Sequence, residues 1–125
     1  MSKVLAFLYR WGTKSFVTID RSPFVIGRQQ GELVLDGDVS ASRKHCQLTL
    51  GAMTCQITDL GSSNGTWVNG KVLPKSGSVE IKDGDWIKVG ESVFFFTWSQ
   101  TIPDATRTVN VLSLFPELRG KSGLK

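Results

Sequence analysis

An all-β fold, a sandwich or barrel, is predicted by three observations on this sequence. Short apolar runs recur over residues 4–98, several of them alternate apolar with polar residues at period two, and turn residues interrupt them every few positions. Thirteen glycines in 125 residues supply many of those turns. No segment before residue 99 has helical periodicity with caps, and there is no internal repeat.

The elements follow in order. Residues 4–9 and 15–19 flank a turn at Gly12-Thr13, a first hairpin. Phe24-Val25-Ile26 starts after Ser22-Pro23 and stops at Gly27, and Leu33-Val34-Leu35 is brief, leading into a polar loop from Asp36 to Ser42. In residues 45–50, Cys46, Leu48 and Leu50 alternate with Gln47 and Thr49; Met53, Cys55 and Ile57 then alternate with Thr54, Gln56 and Thr58, after a tight connection at Gly51-Ala52. Beyond a Gly61 to Gly65 loop come Thr66-Trp67-Val68, an Asn69-Gly70 turn and Lys71-Val72-Leu73. Residues 79–82 and 86–89 are joined by Asp83-Gly84-Asp85, and residues 93–98 close the pattern after Gly90-Glu91. That makes about ten short strands, the density of a sandwich or barrel.

Residues 99–125 read differently, so the expected organisation is one domain over 1–98 and a polar tail or linker over 99–125. Residues 101–108 are polar; Val109, Val111, Leu112, Leu114, Phe115 and Leu118 follow, with Pro116 among them. Two readings stay open, a flexible connector and a short helix packed back on the sheets, and Pro116 bars a long helix.

Composition bounds the function. A chain of 125 residues, 40% hydrophobic, has room for one core. No run approaches the roughly 18 apolar residues of a membrane span, and the first eleven residues lack a small-residue cleavage site, so no membrane insertion, no signal peptide and a cytoplasmic location are expected. The net charge of +4 suits anionic partners, but the basic residues are scattered and nucleic acid is not expected. Cys46 and Cys55 both fall on apolar positions of strand-like runs; two buried reduced thiols are the simpler reading and a bridge across a hairpin the other. With one histidine and no paired ligand spacing, no metal or cofactor is expected.

The chemistry is carried by a broken series of small and polar residues: Gly27-Arg28, Ser42-Arg43-Lys44-His45, Asp59-Leu60-Gly61-Ser62-Ser63-Asn64-Gly65-Thr66 and Asn69-Gly70. Each sits where a strand meets a turn. Together they supply guanidinium forks, hydroxyls and turn amides, the groups that hold a phosphate on an extended peptide. Arg28, at a strand end, reaches into a loop-lined hollow. Ser42 offers a hydroxyl and a turn amide. Of the adjacent Arg43 and Lys44 only one can face the same way, and Arg43 is assigned to the phosphate. Ser63 and Asn64 would pair with the backbone of the ligand. His45 has no nucleophile beside it, so it braces the turn that presents Ser42, and no catalytic residue is expected. The loop is no nucleotide P-loop, because no Gly-Lys-Ser/Thr ending follows.

Gly-Arg, Ser-x-x-His, Asp-Leu-Gly-Ser-x-Asn-Gly-Thr and Asn-Gly, with the closing Asp83-Gly84-Asp85-x-Ile87-x-Val89-Gly90 segment, resemble the forkhead-associated (FHA) domain over residues 3–98. The resemblance implies an eleven-stranded β-sandwich of two twisted sheets whose loops at one end bind phosphothreonine in partner proteins. It implies Arg28, Ser42 and Arg43 as phosphothreonine contacts and Ser63 and Asn64 as backbone contacts. Gly27, His45, Gly65 and Asn69 become supports of the loops, and Ser40 a position that bears on sequence preference. A small apolar niche for the threonine methyl is expected, lined by Val39, Thr66 or loop backbone. The expected function is thus a non-enzymatic phosphothreonine reader in Ser/Thr kinase signalling. A phosphate-independent module assembling a larger complex is the alternative. Thr101-Ile102-Pro103-Asp104, with Thr106 and Thr108 beyond, further suggests phospho-acceptors in the tail, so that the chain is a monomer or self-associates through it.

Overall fold

The computed structural model describes residues 5–13, 15–100 and 102–117, the stretch 105–109 as backbone only. In chain order the elements are β1 (Ala6–Arg10), β2 (Phe16–Ile19), β3 (Phe24–Gly27), β4 (Leu33–Val34), β5 (Cys46–Leu50), β6 (Cys55–Asp59), β7 (Thr66–Val68), β8 (Lys71–Val72), β9 (Ser78–Ile81), β10 (Trp86–Val89), β11 (Ser92–Thr97) and α1 (Ala105–Leu114). One sheet has six strands in the order β2-β1-β11-β10-β7-β8, the other five in the order β4-β3-β5-β6-β9. Among the described residues the strand pairings are antiparallel except that of β3 with β4. The eleven-stranded sandwich expected from the motifs is what forms.

Period two decides which side chains meet between the sheets. Cys46 and Leu48 of β5, Cys55 and Ile57 of β6, and Ile26 of β3 point inward from one sheet; Ala6, Leu8, Ile87, Val89, Phe94 and Phe96 answer from the other. Both cysteines are buried free thiols. They do not face one another across the hairpin, since Cys46 pairs with Asp59 and Cys55 with Leu50. The β5–β6 connection runs over Gly51 to Thr54, closed by the Gly51 amide donating to the Thr54 carbonyl at 2.8 Å, so Met53 is exposed loop rather than the first residue of a strand.

Of the two readings of the tail, the helix is the one realised. Asp104 stands just before α1 and Pro116 just after its end, both suited to helix boundaries. Val111 and Phe115, four apart and thus on one face, are buried against Trp86, Val93 and Phe95 on the outer side of the six-stranded sheet. Tyr9, Trp11, Trp67, Leu112 and Leu114 pack around that cluster, and Lys88 meets Glu117 at 3.1 Å. Strand β11 is therefore buried on both faces, Phe94 and Phe96 inside the sandwich and Val93 and Phe95 under the helix. No helix of the described residues is long and apolar enough to cross a membrane.

Candidate functional site

Three loops meet at one end of the sandwich: the turn after β3, the long loop between β4 and β5, and the loop between β6 and β7. Their meeting depends on Gly27. A Cβ there would lie 2.0 Å from the Arg43 carbonyl oxygen and 2.6 Å from that of Gln30, so only glycine lets the chain pass this close. The Arg43 carbonyl accepts the amides of Gln29 (3.3 Å) and Gln30 (3.1 Å), and the Arg28 amide donates to the Ser42 carbonyl at 2.8 Å. Arg28 and Ser42 are thereby pinned side by side.

His45 joins the second loop to the third. Buried at the start of β5, its Nδ1 accepts the Ser42 amide at 3.0 Å and its Nε2–H donates to the Gly65 carbonyl at 2.8 Å. Those two bonds require the neutral tautomer protonated on Nε2. The Ser42 amide is thus consumed, a correction to the expectation that it faces a ligand. The Ser42 hydroxyl accepts the Ser63 amide at 3.0 Å, which leaves its proton as a donor.

Asp59 anchors the third loop. Nearly fully buried, it accepts from the Gly61 and Ser62 amides (3.0 and 3.2 Å) and from the hydroxyls of Ser62 (2.5 Å) and Thr66 (2.8 Å). Burial acts to raise its pKa, but the bonds from Ser62, Thr66 and the two amides outweigh it and hold the carboxyl below its ordinary value. Its anchoring role is one that the motif reading missed; the Asp-x-Gly-Ser spacing, typical of a side chain capping its own turn, was the available signal. Gly65 has a φ of 84°, and a Cβ there would meet Val72 Cγ2 at 2.7 Å.

The hollow so framed holds about 270 Å³ and is lined by Arg28, Val39, Ser40, Ala41, Ser42, Arg43, Ser63 and Asn64. Every residue expected to touch phosphate or peptide lies on it, as does Ser40. No carboxylate does. Asn64 Nδ2 donates to the Ser40 carbonyl at 2.8 Å, closing the rim, while the Ser40 hydroxyl donates to Glu91 at 3.2 Å. Arg28 is half-buried, and its Nε is, among the described residues, the one buried side-chain nitrogen or oxygen without a hydrogen-bond partner. Such an orphan is rare enough to point to an absent acceptor. Lys44 is exposed and away from the lining.

Other expected residues fall elsewhere. Thr66 is fully buried on Asp59 and cannot line a methyl niche, whereas Val39 does line the hollow and is 81% exposed. Asn69 sits at the β7–β8 turn with a φ of 51°; its Nδ2 donates to Asp85 at 3.0 Å and its Oδ1 accepts the Trp86 amide at 2.9 Å, which ties that turn to β10. Thr101 lies outside the described residues, as do the side chains of Thr106 and Thr108, whose backbone belongs to α1. A residue unnoticed in the sequence, Asp38, fastens the second loop to the β10–β11 turn by accepting from the Glu91 amide (2.9 Å) and the Ser92 hydroxyl (2.8 Å).

The family model described as FHA domain matches residues 24–90, more than half of the chain and all three loops of the hollow. The chain belongs to the FHA domain family. An FHA domain-containing protein of Arabidopsis thaliana is 40% identical over 62 residues, covering 50% of this chain and 16% of that protein. The chain spans less than half the length of the curated relatives it matches. Among solved structures, Mycobacterium tuberculosis EmbR in complex with a low affinity phosphopeptide superposes with a TM-score of 0.72 at 26% identity, over 81% of this chain and 26% of that one. A structure from an analysis of phosphothreonine-dependent FHA domain interactions gives 0.67 at 25% identity, over 80% of this FHA chain and 99% of its counterpart.

Proposed function

We propose that this FHA domain is a non-enzymatic reader of phosphothreonine in protein segments modified by a Ser/Thr kinase. Arg28, Ser42 and Arg43 take the phosphate, and Ser63 and Asn64 take the main chain of the peptide. The observation that carries this reading is the half-buried Arg28 guanidinium, whose Nε has no acceptor among the described residues, opening beside the Ser42 hydroxyl on a hollow with no acidic lining. A dianion with three acceptor oxygens is the complement of that arrangement. The phosphopeptide held by EmbR, a protein of the same fold at 26% identity, supports it further.

Calorimetry against a phosphothreonine peptide library is the test. Arg28→Ala should weaken binding by at least ~1.5–3 kcal/mol, the usual worth of a hydrogen bond to a charged group. The unphosphorylated peptides should bind far more weakly than the phosphorylated ones. Equal affinity of wild type and Arg28→Ala would remove Arg28 from the site, and a library without hits would remove the function.

A further inference from the structure

Helix α1 lies outside the residues matched by the family model, on the opposite face of the six-stranded sheet from the sandwich core. Among the described residues, Trp67 joins the cluster beneath the helix to the hollow. The indole of Trp67 packs on the cluster of Trp86, Val93, Phe95, Val111 and Phe115, and its Nε1–H donates to the Asn64 carbonyl at 3.2 Å. Asn64 in turn donates through Nδ2 to the Ser40 carbonyl at 2.8 Å.

The rest of the third loop has stronger holds: Asp59 grips its beginning through Gly61 and Ser62, and His45 grips Gly65. Between them, the main chain of exposed Asn64 has one recorded hydrogen bond among the described residues, that from Trp67. The indole nitrogen also lies 3.5 Å from where a Cβ on Gly65 would fall, so it sits close beneath the loop. Helix and hairpin meet at Gly70. The Leu114 carbonyl oxygen lies 2.6 Å from the Cβ position of Gly70, so the last turn of α1 rests on the β7–β8 turn and no larger residue fits there.

Resting on the reading of the hollow as a phosphopeptide site, we propose that Trp67 is a positioning residue through which the docking of α1 sets the affinity of that site. With α1 seated, the indole is held against the sheet and its N–H fixes the Asn64 carbonyl, which pre-orders the loop that takes the peptide main chain. With α1 displaced, the cluster on which the indole packs loses Val111 and Phe115, the indole is held by the sheet side chains alone, and binding must then include the ordering of Asn64. By linkage, a bound phosphopeptide must hold α1 down by the same factor. The expected ligand is a phosphothreonine segment of a partner, and the helix is the element through which a neighbouring molecule or a modification of the tail would act on it.

The test uses the full 125-residue chain and the tightest phosphothreonine peptide from the library. Trp67→Phe keeps an aromatic ring on the cluster but deletes the N–H together with the indole's second ring; it should weaken binding about fivefold, with a modest fall in Tm from the lost packing. Phe115→Ala, or Leu112→Ala should the first not fold, should weaken it by a similar factor. Combining either with Trp67→Phe should add little more, because both release the same carbonyl. A structural role alone would lower Tm and leave the affinity of the folded protein in place. Wild-type affinity for Trp67→Phe, or multiplied losses in the double variant, overturns the proposal. A wild-type chain that binds no phosphopeptide overturns the function instead, so the two failures are distinct.

Discussion

The carbonyl oxygen of Arg43 lies 2.0 Å from the point where a Cβ on Gly27 would stand. The end of β3 and the loop bearing Ser42 and Arg43 thus share a space that only a hydrogen atom can fill, and Arg28, the next residue, inherits its place beside Ser42 from that contact. Gly27→Ala should lower stability by about 2 kcal/mol or more, the scale of an overpacked site whose neighbour is backbone and cannot swing away. It should also weaken phosphopeptide binding with Arg28 intact. Chemical denaturation and calorimetry on the same variant measure both; wild-type values in each would show that the loop yields without consequence.

His45 holds two loops with one ring, so its loss strands two groups at once. His45→Ala leaves the Ser42 amide and the Gly65 carbonyl without their recorded partner. A stability loss of about 3 kcal/mol is expected from two buried polar groups left unsatisfied. Phosphopeptide affinity of the remaining folded protein should fall as well, since Ser42 and the Gly65 end of the third loop are no longer set against each other. A fall in Tm without any change in affinity would assign His45 to stability alone.

Asp59 makes the fold sensitive to acid. Its folded pKa lies below the ordinary 3.8, so its ionised form stabilises the fold above that value, and the contribution is lost as pH falls through the folded value. Asp59→Asn should therefore have a lower Tm at pH 7, with the gap to wild type closing below about pH 4. Parallel Tm curves across that range would mean that the carboxylate is not what the loop relies on.

The two thiols should be inert in the native protein. Burial, with the neighbouring Asp59 charge, pushes the Cys46 thiol well above its ordinary range, and burial pushes Cys55 up to about 12. At pH 8 neither is a thiolate, and a chromogenic disulfide reagent should react with neither until denaturant is added, when it should react with both. Rapid reaction of the folded chain would show that the core opens at β5 and β6.

Much of this architecture was legible before any coordinates, because its signals are local. Alternation in residues 45–50 and 55–58 separates inward from outward side chains whatever they later touch, though it wrongly extended to Met53, and Asp83-Gly84-Asp85 or Asn69-Gly70 can hardly be anything but turns. The order of motifs likewise announced the loop residues, and Arg28, Ser40, Ser42, Arg43, Ser63 and Asn64 all reach one hollow. Other features depended on partners distant in sequence. That the Ser42 amide is taken by His45 follows from how a buried ring is turned, and that Thr66 belongs to Asp59 follows from a loop folding over its own carboxylate.

The tail marks the division most clearly. The sequence by itself determined a closing strand over residues 93–98 and, through Pro116, that no long helix could follow; whether the apolar residues from Val109 to Leu118 pack back on the sheets it left open. Helical propensity argued weakly for α1, since Thr106, Thr108, Val109 and Val111 are β-branched. Only the tertiary structure decided that Val111 and Phe115 supply the cover, and that Trp67, packed on the same cluster, donates its N–H to Asn64 at the hollow. A ten-residue helix of this composition is stabilised mainly by the surface it buries, and which surface that is depends on the assembled sheet rather than on any stretch of neighbouring residues.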